Sequence, residues 1–498
     1  IATVPAISAD AIDGEVVAFD YEGTPGLITL TLHGTGELYI HNVKITNTSE
    51  VTYDRDGQWF FVTPGDAQSL LDAIDAISAY NTERDAARAY LFIPDGTYDL
   101  KETVLTNIYG HNISLIGQSK EGTIIVNQPH YTTEGIATTA TLMNTGTNLY
   151  LQDLTIKNAL DYYATIGNQQ VGGRAVAFWD KGLNTVCKNV ELDSRQDTYY
   201  SNNIDGTYYF EGCNVHGTVD FFCGEGAMLY TDGVITVEPR NANGKGECTL
   251  TAPSTKAGNK YGYVFLNNKI VNKAEKYNYG RAWQNEPRCA YINTTVNDNA
   301  LVSARWTANG MNVVAKEFVE YNTMDEAGKV VSPSTHVMTF IKGESNTMET
   351  ILTPEQAAEY TAEKIFPEWR PDLLAVQAAA PKCKTENGTI TWEPVEGAIA
   401  YAVFADGKLE AITEATSHAA EGNGFYTVRS INAMGGMGEA ANADGSAGII
   451  ATVADAEVIS SVYYNVQGQR VDATFRGVVI RVDTRADGTT VTRKTISK

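Results

Sequence analysis

Two aspartates in this 498-residue chain lie about 23 residues apart, each inside a distinctive word. Asp197 sits in Arg195-Gln196-Asp197-Thr198-Tyr199-Tyr200, and Asp220 in Gly217-Thr218-Val219-Asp220-Phe221-Phe222-Cys223-Gly224. That separation is about one turn of a parallel β-coil, which would stack the two side chains on neighbouring rungs of one face. A guanidinium follows in Gly280-Arg281-Ala282-Trp283. Two close carboxylates do not both ionise readily, and an arginine favours the charged form of the one it grips. Such a set can supply a proton donor and an ionised partner. Ester cleavage through a carboxylate nucleophile and glycoside cleavage through paired acids both fit.

The elements that must position these groups are legible as a repeat. Similar phrases begin at Ile113, Leu149, Thr185, Tyr208, Leu229, Tyr263 and Cys289, about 20 to 36 residues apart, the longer gaps leaving room for inserted loops. Each phrase holds two short strand patterns hinged at Asn, Asp or Gly, and Asn tolerates the left-handed bend of such a hinge. One strand–bend–strand unit cannot bury its apolar face alone, so the copies must stack. The predicted fold is all-β: a right-handed parallel β-helix with smaller β-sandwich-type accessory domains. An Ig-like sandwich is the competing architecture, and it accounts poorly for the repeated phrase.

Around this core the text changes. Residues 1–50 alternate apolar and polar and read as a few antiparallel strands or a cap. Asp66 is a candidate N-cap for a helix carrying Leu70, Leu71, Ile74 and Ile77 at helical spacing. The β-helix is expected over 51–375. Residues 376–448, with Trp392 among alternating strands, resemble a fibronectin type III module. The stretch 456–498 resembles the short C-terminal β-modules on secreted proteins of Bacteroidetes-type bacteria.

Composition narrows the function. A formal charge of −23 argues against nucleic acid, whose phosphates would be repelled, and mildly against a densely ionised polyuronate. No apolar run is long enough to span a bilayer. The six cysteines show no metal-type spacing and read as buried small apolar residues, with an adjacent-rung disulfide as the alternative. With seven histidines and no ligand motif, no metal or other cofactor is expected. The chain starts at Ile1 without a leader and reads as a mature or trimmed form, secreted, periplasmic or at a bacterial cell surface. A monomer is expected.

From about residue 53 to 375 the chain resembles the pectin methylesterases, carbohydrate esterases built on a right-handed parallel β-helix. The words that carry the resemblance are Gln196-Asp197-Thr198, Val219-Asp220-Phe221 with Gly224, and Gly280-Arg281-Ala282-Trp283, in that order. The resemblance implies hydrolysis of C6 methyl esters of galacturonate in pectin (methylated homogalacturonan), with release of methanol. It makes Asp220 the nucleophile held by Arg281, Asp197 the acid and then the base, and Gln196 an oxyanion donor. Trp283 would offer a flat face to a sugar, extended by Tyr200, Phe221 and Trp306. The acidic chain suits a neutral, highly methylated substrate better than a de-esterified one.

Four positions depart from the family pattern. Arg174 replaces the Gln that opens a Gln-Ala-Val-Ala word, while Tyr199, Cys223 and Ala282 replace Leu, Phe and Pro. The last three read as packing changes. Arg174 bears on activity and substrate preference: it could donate to an oxyanion, or collapse onto Asp197 and spoil the acid. A non-catalytic or weakly active pectic-glycan-binding paralogue is the second reading. A β-helical polygalacturonan-cleaving enzyme is the third, and it leaves Gln196 and the Gly280–Trp283 word unexplained.

Overall fold

The computed structural model describes residues 51–130, 135–166, 172–421 and 424–443, together with 458–465, 470–472, 477–485 and 490–497. The strands expected within residues 1–50, and the module boundaries at 448 and 456, lie outside the described residues.

Each turn of the coil contributes one strand to each of three sheets. The first sheet stacks Trp59–Val62, Ala89–Ile93, Ile113–Gly117, Tyr150–Gln152, Thr185–Lys188, Thr207–Glu211, Ala227–Thr231, Tyr263–Leu266, Arg288–Ile292 and Glu317–Tyr321 in chain order. The seven from Ile113–Gly117 to Arg288–Ile292 are the strands of the repeated phrase. From Trp59–Val62 onward every pairing in this sheet is parallel and in continuous register; for example, Val186 lies beside Tyr209, which lies beside Leu229. The second and third sheets are stacked the same way, so the chain folds as a parallel β-helix. The Ig-like alternative is set aside, because a sandwich would pair these strands antiparallel.

Left-handed residues turn the chain between sheets. Asn112, Asn148 and Asn184 have φ of 51°, 57° and 62° and recur at one corner. Their side chains ladder: Asn148 Nδ2 donates to Asn112 Oδ1 at 2.8 Å, and Asn184 Nδ2 to Asn148 Oδ1 at 3.1 Å. Asn267, Asn293 and Asn322 make a second ladder.

The interior is a column of rings. Phe265 stacks on Tyr291 at 4.5 Å, Tyr291 on Tyr279 at 4.1 Å, and Trp306 on Phe318 at 4.7 Å. Such pairs add about 0.5–1.5 kcal/mol each beyond the area they bury. One end of the column is closed by the helix Ala67–Tyr80, whose Leu70, Ala73, Ile74 and Ile77 are fully buried. Asp66 caps this helix, accepting from the Gln68 and Ser69 amides as its position before the apolar stripe predicts. All six cysteines are buried free thiols, so the adjacent-rung disulfide does not form.

Residues 383–442 form two antiparallel sheets sharing a core that includes Ile390, Trp392, Tyr401, Val403 and Val428. A second apolar cluster joins this module to the outer face of the first sheet: Ala402, Phe404, Ile431 and Met437 meet Phe92, Ile116 and Tyr150. Arg429 crosses the same junction to Asp153 (3.3 Å) and to the Gln118 carbonyl (3.1 Å). The module is thus docked on the β-helix and not merely tethered to it. Beyond it, Val458–Asn465, Arg470–Val471, Gly477–Arg485 and Thr490–Ser497 form a four-stranded antiparallel sheet.

Candidate active site

The third sheet carries the site. Its middle strands are Phe178–Asp180, Tyr199–Ser201, Val219–Glu225, Glu247–Thr255 and Lys276–Gly280, all parallel. Asp197 and Asp220 stand where the chain enters this sheet from the second one. Gln196 bridges to Val219, and the Asp197 amide donates to the Val219 carbonyl at 3.1 Å. The two carboxylates therefore stand on neighbouring rungs, about 4.8 Å apart along the stack.

Two local devices aim them outward. Both residues have positive φ, 59° at Asp197 and 49° at Asp220, a conformation for which Asp is among the tolerant residue types. In addition, Val219 pairs with Thr249 but Phe222 with Thr251, so the Asp220 strand carries one extra residue, a bulge. The bulge turns Phe221 inward, where it is fully buried. Its ring occupies the space a side chain on Gly217 would need: a Cβ there would lie 2.1 Å from Phe221. Gly224, at φ 119°, leaves room for the Ser201 carbonyl, which a Cβ would meet at 1.8 Å.

Arg281 follows the Lys276–Gly280 strand and is fixed by its amide to the Thr251 carbonyl at 3.0 Å. Its Nε donates to Asp220 Oδ1 at 3.0 Å and its Nη2 to Oδ2 at 2.5 Å. This is the two-point grip that guanidinium and carboxylate shapes permit. Asp197 receives no such grip; the contact it does receive is the Cys223 thiol, 3.8 Å from Oδ1. Burial pushes the Asp197 carboxyl well above the usual carboxylate range, and the Asp220 charge pushes it further, against the pull of Arg174 and Arg281. Burial also raises Asp220, but there the Arg281 hydrogen bonds and charge oppose it directly. Of the two, Asp197 is the better placed to hold a proton and Asp220 the better placed to carry charge.

Gln196 is half-buried, with no hydrogen-bond partner for its amide among the described residues, so it remains available to a ligand. Arg174, on the preceding rung, is exposed and pairs by backbone with Gln196. Trp283 is half-buried, 6.1 Å from Tyr200, which is almost wholly buried and backs it.

Two expected platform residues are elsewhere. Phe221 lies in the interior, and Trp306, 2% exposed, belongs to the ring column beside Tyr279 and Phe318. Neither can meet a sugar: the bulge turns Phe221 inward, and Trp306 is packed among the interior rings. Tyr199, Cys223 and Ala282 are buried, as packing positions should be.

Sequence reasoning missed Trp179, which stacks on Tyr200 at 5.7 Å and 16°. Aligning successive coils would have found it, since Trp179, Tyr200 and Cys223 occupy one register position. It also missed Arg240, whose charge reaches Asp220 and whose guanidinium donates to the Tyr162 hydroxyl.

Comparison with known proteins identifies the family. Residues 62–368, more than half of the chain, match the Pectinesterase family model. Pectinesterase A of Dickeya dadantii is 26% identical over 70% of this chain and 96% of its own length, and that of Dickeya chrysanthemi is 25% identical over the same shares. A solved pectin methylesterase structure from Erwinia chrysanthemi is 24% identical over 59% of this chain and 93% of that one, with a TM-score of 0.47. The chain belongs to the pectinesterase family and is a carboxylic ester hydrolase.

Proposed function

We propose that the chain hydrolyses C6 methyl esters of galacturonate units in pectin, with Asp220 as nucleophile. An ionised Asp220 oxygen attacks the ester carbonyl, and Gln196 donates to the oxyanion that forms, a contribution of roughly 3 kcal/mol in comparable sites. The tetrahedral intermediate expels the methoxy group as methanol, taking the proton from Asp197. An acyl-aspartyl anhydride remains. Asp197, now ionised, removes a proton from water, whose oxygen attacks the sugar carbonyl and returns Asp220 as a carboxylate. Trp283, backed by Tyr200, holds the sugar ring.

The observation that carries this reading is the unequal treatment of the two carboxylates: a two-point Arg281 grip on Asp220 and none on Asp197. The substrate follows from the family. The chain is read as a monomer acting outside the cytoplasm, with residues 376–448 and 456–498 as accessory modules. Among the described residues no helix is long and apolar enough to cross a membrane, and no cluster of side chains could hold a metal ion. Asp220→Ala should abolish methanol release from methylated pectin while the far-UV circular dichroism stays unchanged. Undiminished release would refute the assignment.

A further inference from the structure

Asp197 and Asp220 differ in a second respect: the hydrogen bond that reaches the Asp197 carboxyl comes from sulfur. Cys223 follows Trp179 and Tyr200 in one register line of the third sheet and is 1% exposed. Its Sγ lies 3.8 Å from Asp197 Oδ1 and 3.7 Å from the Tyr199 carbonyl. A thiol has one proton and serves one acceptor at a time. The Tyr199 carbonyl lies inside the sheet, between the parallel strands Phe178–Asp180 and Val219–Glu225, where backbone amides supply donors. Asp197 stands at the corner, outside that ladder. Burial, and the charges of Asp197 and Asp220, push the Cys223 thiol well above its usual range. The sulfur therefore keeps its proton and is a donor, not a nucleophile. The pectinesterase pattern has phenylalanine at this position, and a phenyl ring has no such proton to donate.

We infer that Cys223 is a positioning residue for the ester hydrolysis: by donating to Asp197 Oδ1 it leaves the acid's proton to Oδ2, the oxygen that serves the leaving group. This rests on the esterase reading and assigns separate tasks to the two oxygens of its acid. A protonated carboxyl has one O–H donor and one carbonyl acceptor. With the S–H directed at Oδ1, that oxygen is the carbonyl and Oδ2 carries the hydrogen. Oδ2 gives its proton to the methoxy oxygen as methanol leaves and takes one back from the attacking water, while the thiol keeps its own throughout. The same bond favours ionised Asp197, because a carboxylate accepts more strongly than a neutral carbonyl. The other groups facing Asp197 are Asp220, which opposes its ionisation, Arg174 and Arg281, which favour it, and the Tyr200 phenol, which stays neutral. Each of them is kept when Cys223 is replaced.

Infrared spectroscopy reads the thiol directly, since S–H stretches fall where protein and water absorb little. The Cys223 band is isolated as the difference between the full chain and its Cys223→Ala variant. It should move to lower wavenumber as pH rises and Asp197 ionises. In an Asp197→Asn background that pH dependence should vanish, because the amide oxygen does not titrate. A wild-type band that stays fixed over the pH range in which the fold is retained would direct the S–H at the Tyr199 carbonyl and overturn the inference.

Turnover gives the second readout. Cys223→Ala should lower kcat for methanol release about threefold with KM little changed, the low end for a neutral hydrogen bond because a thiol is a weak donor. The basic limb of the pH–rate profile, where Asp197 loses the proton it must donate, should move up by about half a pH unit, because the ionised form has lost a donor. Cys223→Ser, a stronger donor on a shorter arm, should recover part of both changes. A fall in kcat with an unmoved basic limb, the same for Ala and Ser, would assign Cys223 to packing alone and overturn the inference. A wild-type chain that releases no methanol from any pectin would refute the esterase reading alone, since the infrared band does not depend on turnover.

Discussion

Replacing Arg281 by Gln tests the division of labour between the carboxylates most directly. Asp220 is 7% exposed in its side chain and Arg281 32%, so the pair is buried on the carboxylate side and partly wet on the other. Removing one partner of a fully buried pair costs about 3–5 kcal/mol, chiefly because the other charge is left without compensation. The water that reaches Arg281 also reaches the vacated space, which reduces the figure to about 2 kcal/mol. That energy is lost from the ionised form of Asp220, the form that attacks in the proposed mechanism, and about 2 kcal/mol corresponds to roughly a 30-fold fall in kcat/KM. The sign follows from charge. Without the guanidinium, ionisation of Asp220 is harder, so the acid limb of the pH–rate profile moves to higher pH and the variant recovers part of its activity as pH rises. The assay is methanol release from methylated pectin across pH, with thermal melts confirming the fold. A variant with reduced activity but an unmoved acid limb would show that Arg281 does not set the ionisation of Asp220, and the assignment of nucleophile would fail with it.

Asp197→Asn should abolish methanol release and raise the melting temperature at neutral pH. Burial raises the folded-state pKa of Asp197, so its favourable contribution is present below the unfolded pKa of about 3.9 and lost as pH rises through the folded value; the stabilisation by Asn should therefore shrink in acid, and a pH-independent difference would contradict it. Gly224→Ala should cost about 3 kcal/mol or more, since its φ is 119° and the new Cβ would lie 1.8 Å from the Ser201 carbonyl; a loss under 1 kcal/mol in denaturant melts would refute this packing. Phe404→Ala, at a 4% exposed ring packed edge-on to Phe92 at 6.2 Å, should cost about 3–5 kcal/mol. Because that ring belongs to a core shared by module and β-helix, one cooperative transition should shift in calorimetry; two separate transitions would show that the module folds independently.

The sequence revealed what the repeat repeats. Hinge asparagines, short strand phrases and the Asp66 cap are local signals, and local signals survive without coordinates. The Asp197–Asp220–Arg281 set was legible because one coil separates the carboxylates and a distinctive word holds the arginine. What escaped was the facing of individual rings. Phe221 sits one residue from Asp220, and without the bulge between Val219 and Phe222 its inward direction is not readable. Trp306 lies past the last regular third-sheet strand of the coil, where period-two reasoning has no register to count from. Trp179 was lost for the opposite reason: its register was readable, but its word resembles no family signature. Docking of residues 383–442 on the first sheet depends on contacts such as Gln152 Nε2 to the Met437 carbonyl, across 285 residues, which no local pattern encodes.

The site uses a backbone geometry that elsewhere in the molecule only stabilises it. At two other corners, Asn112–Asn148–Asn184 and Asn267–Asn293–Asn322, the left-handed residues are asparagines, whose amides donate to one another from rung to rung. At the entrance to the third sheet the same conformation is held by Asp197 and Asp220, and two ionised aspartates cannot form that ladder, since each can only accept. The structure grips one with Arg281 and leaves the other buried without such a grip. An asparagine in place of Asp197 would restore a donor to the corner and remove a buried carboxyl, so the native residue is the less stable choice. On the proposed mechanism, stability is given up at this corner for a pair of unlike carboxylates.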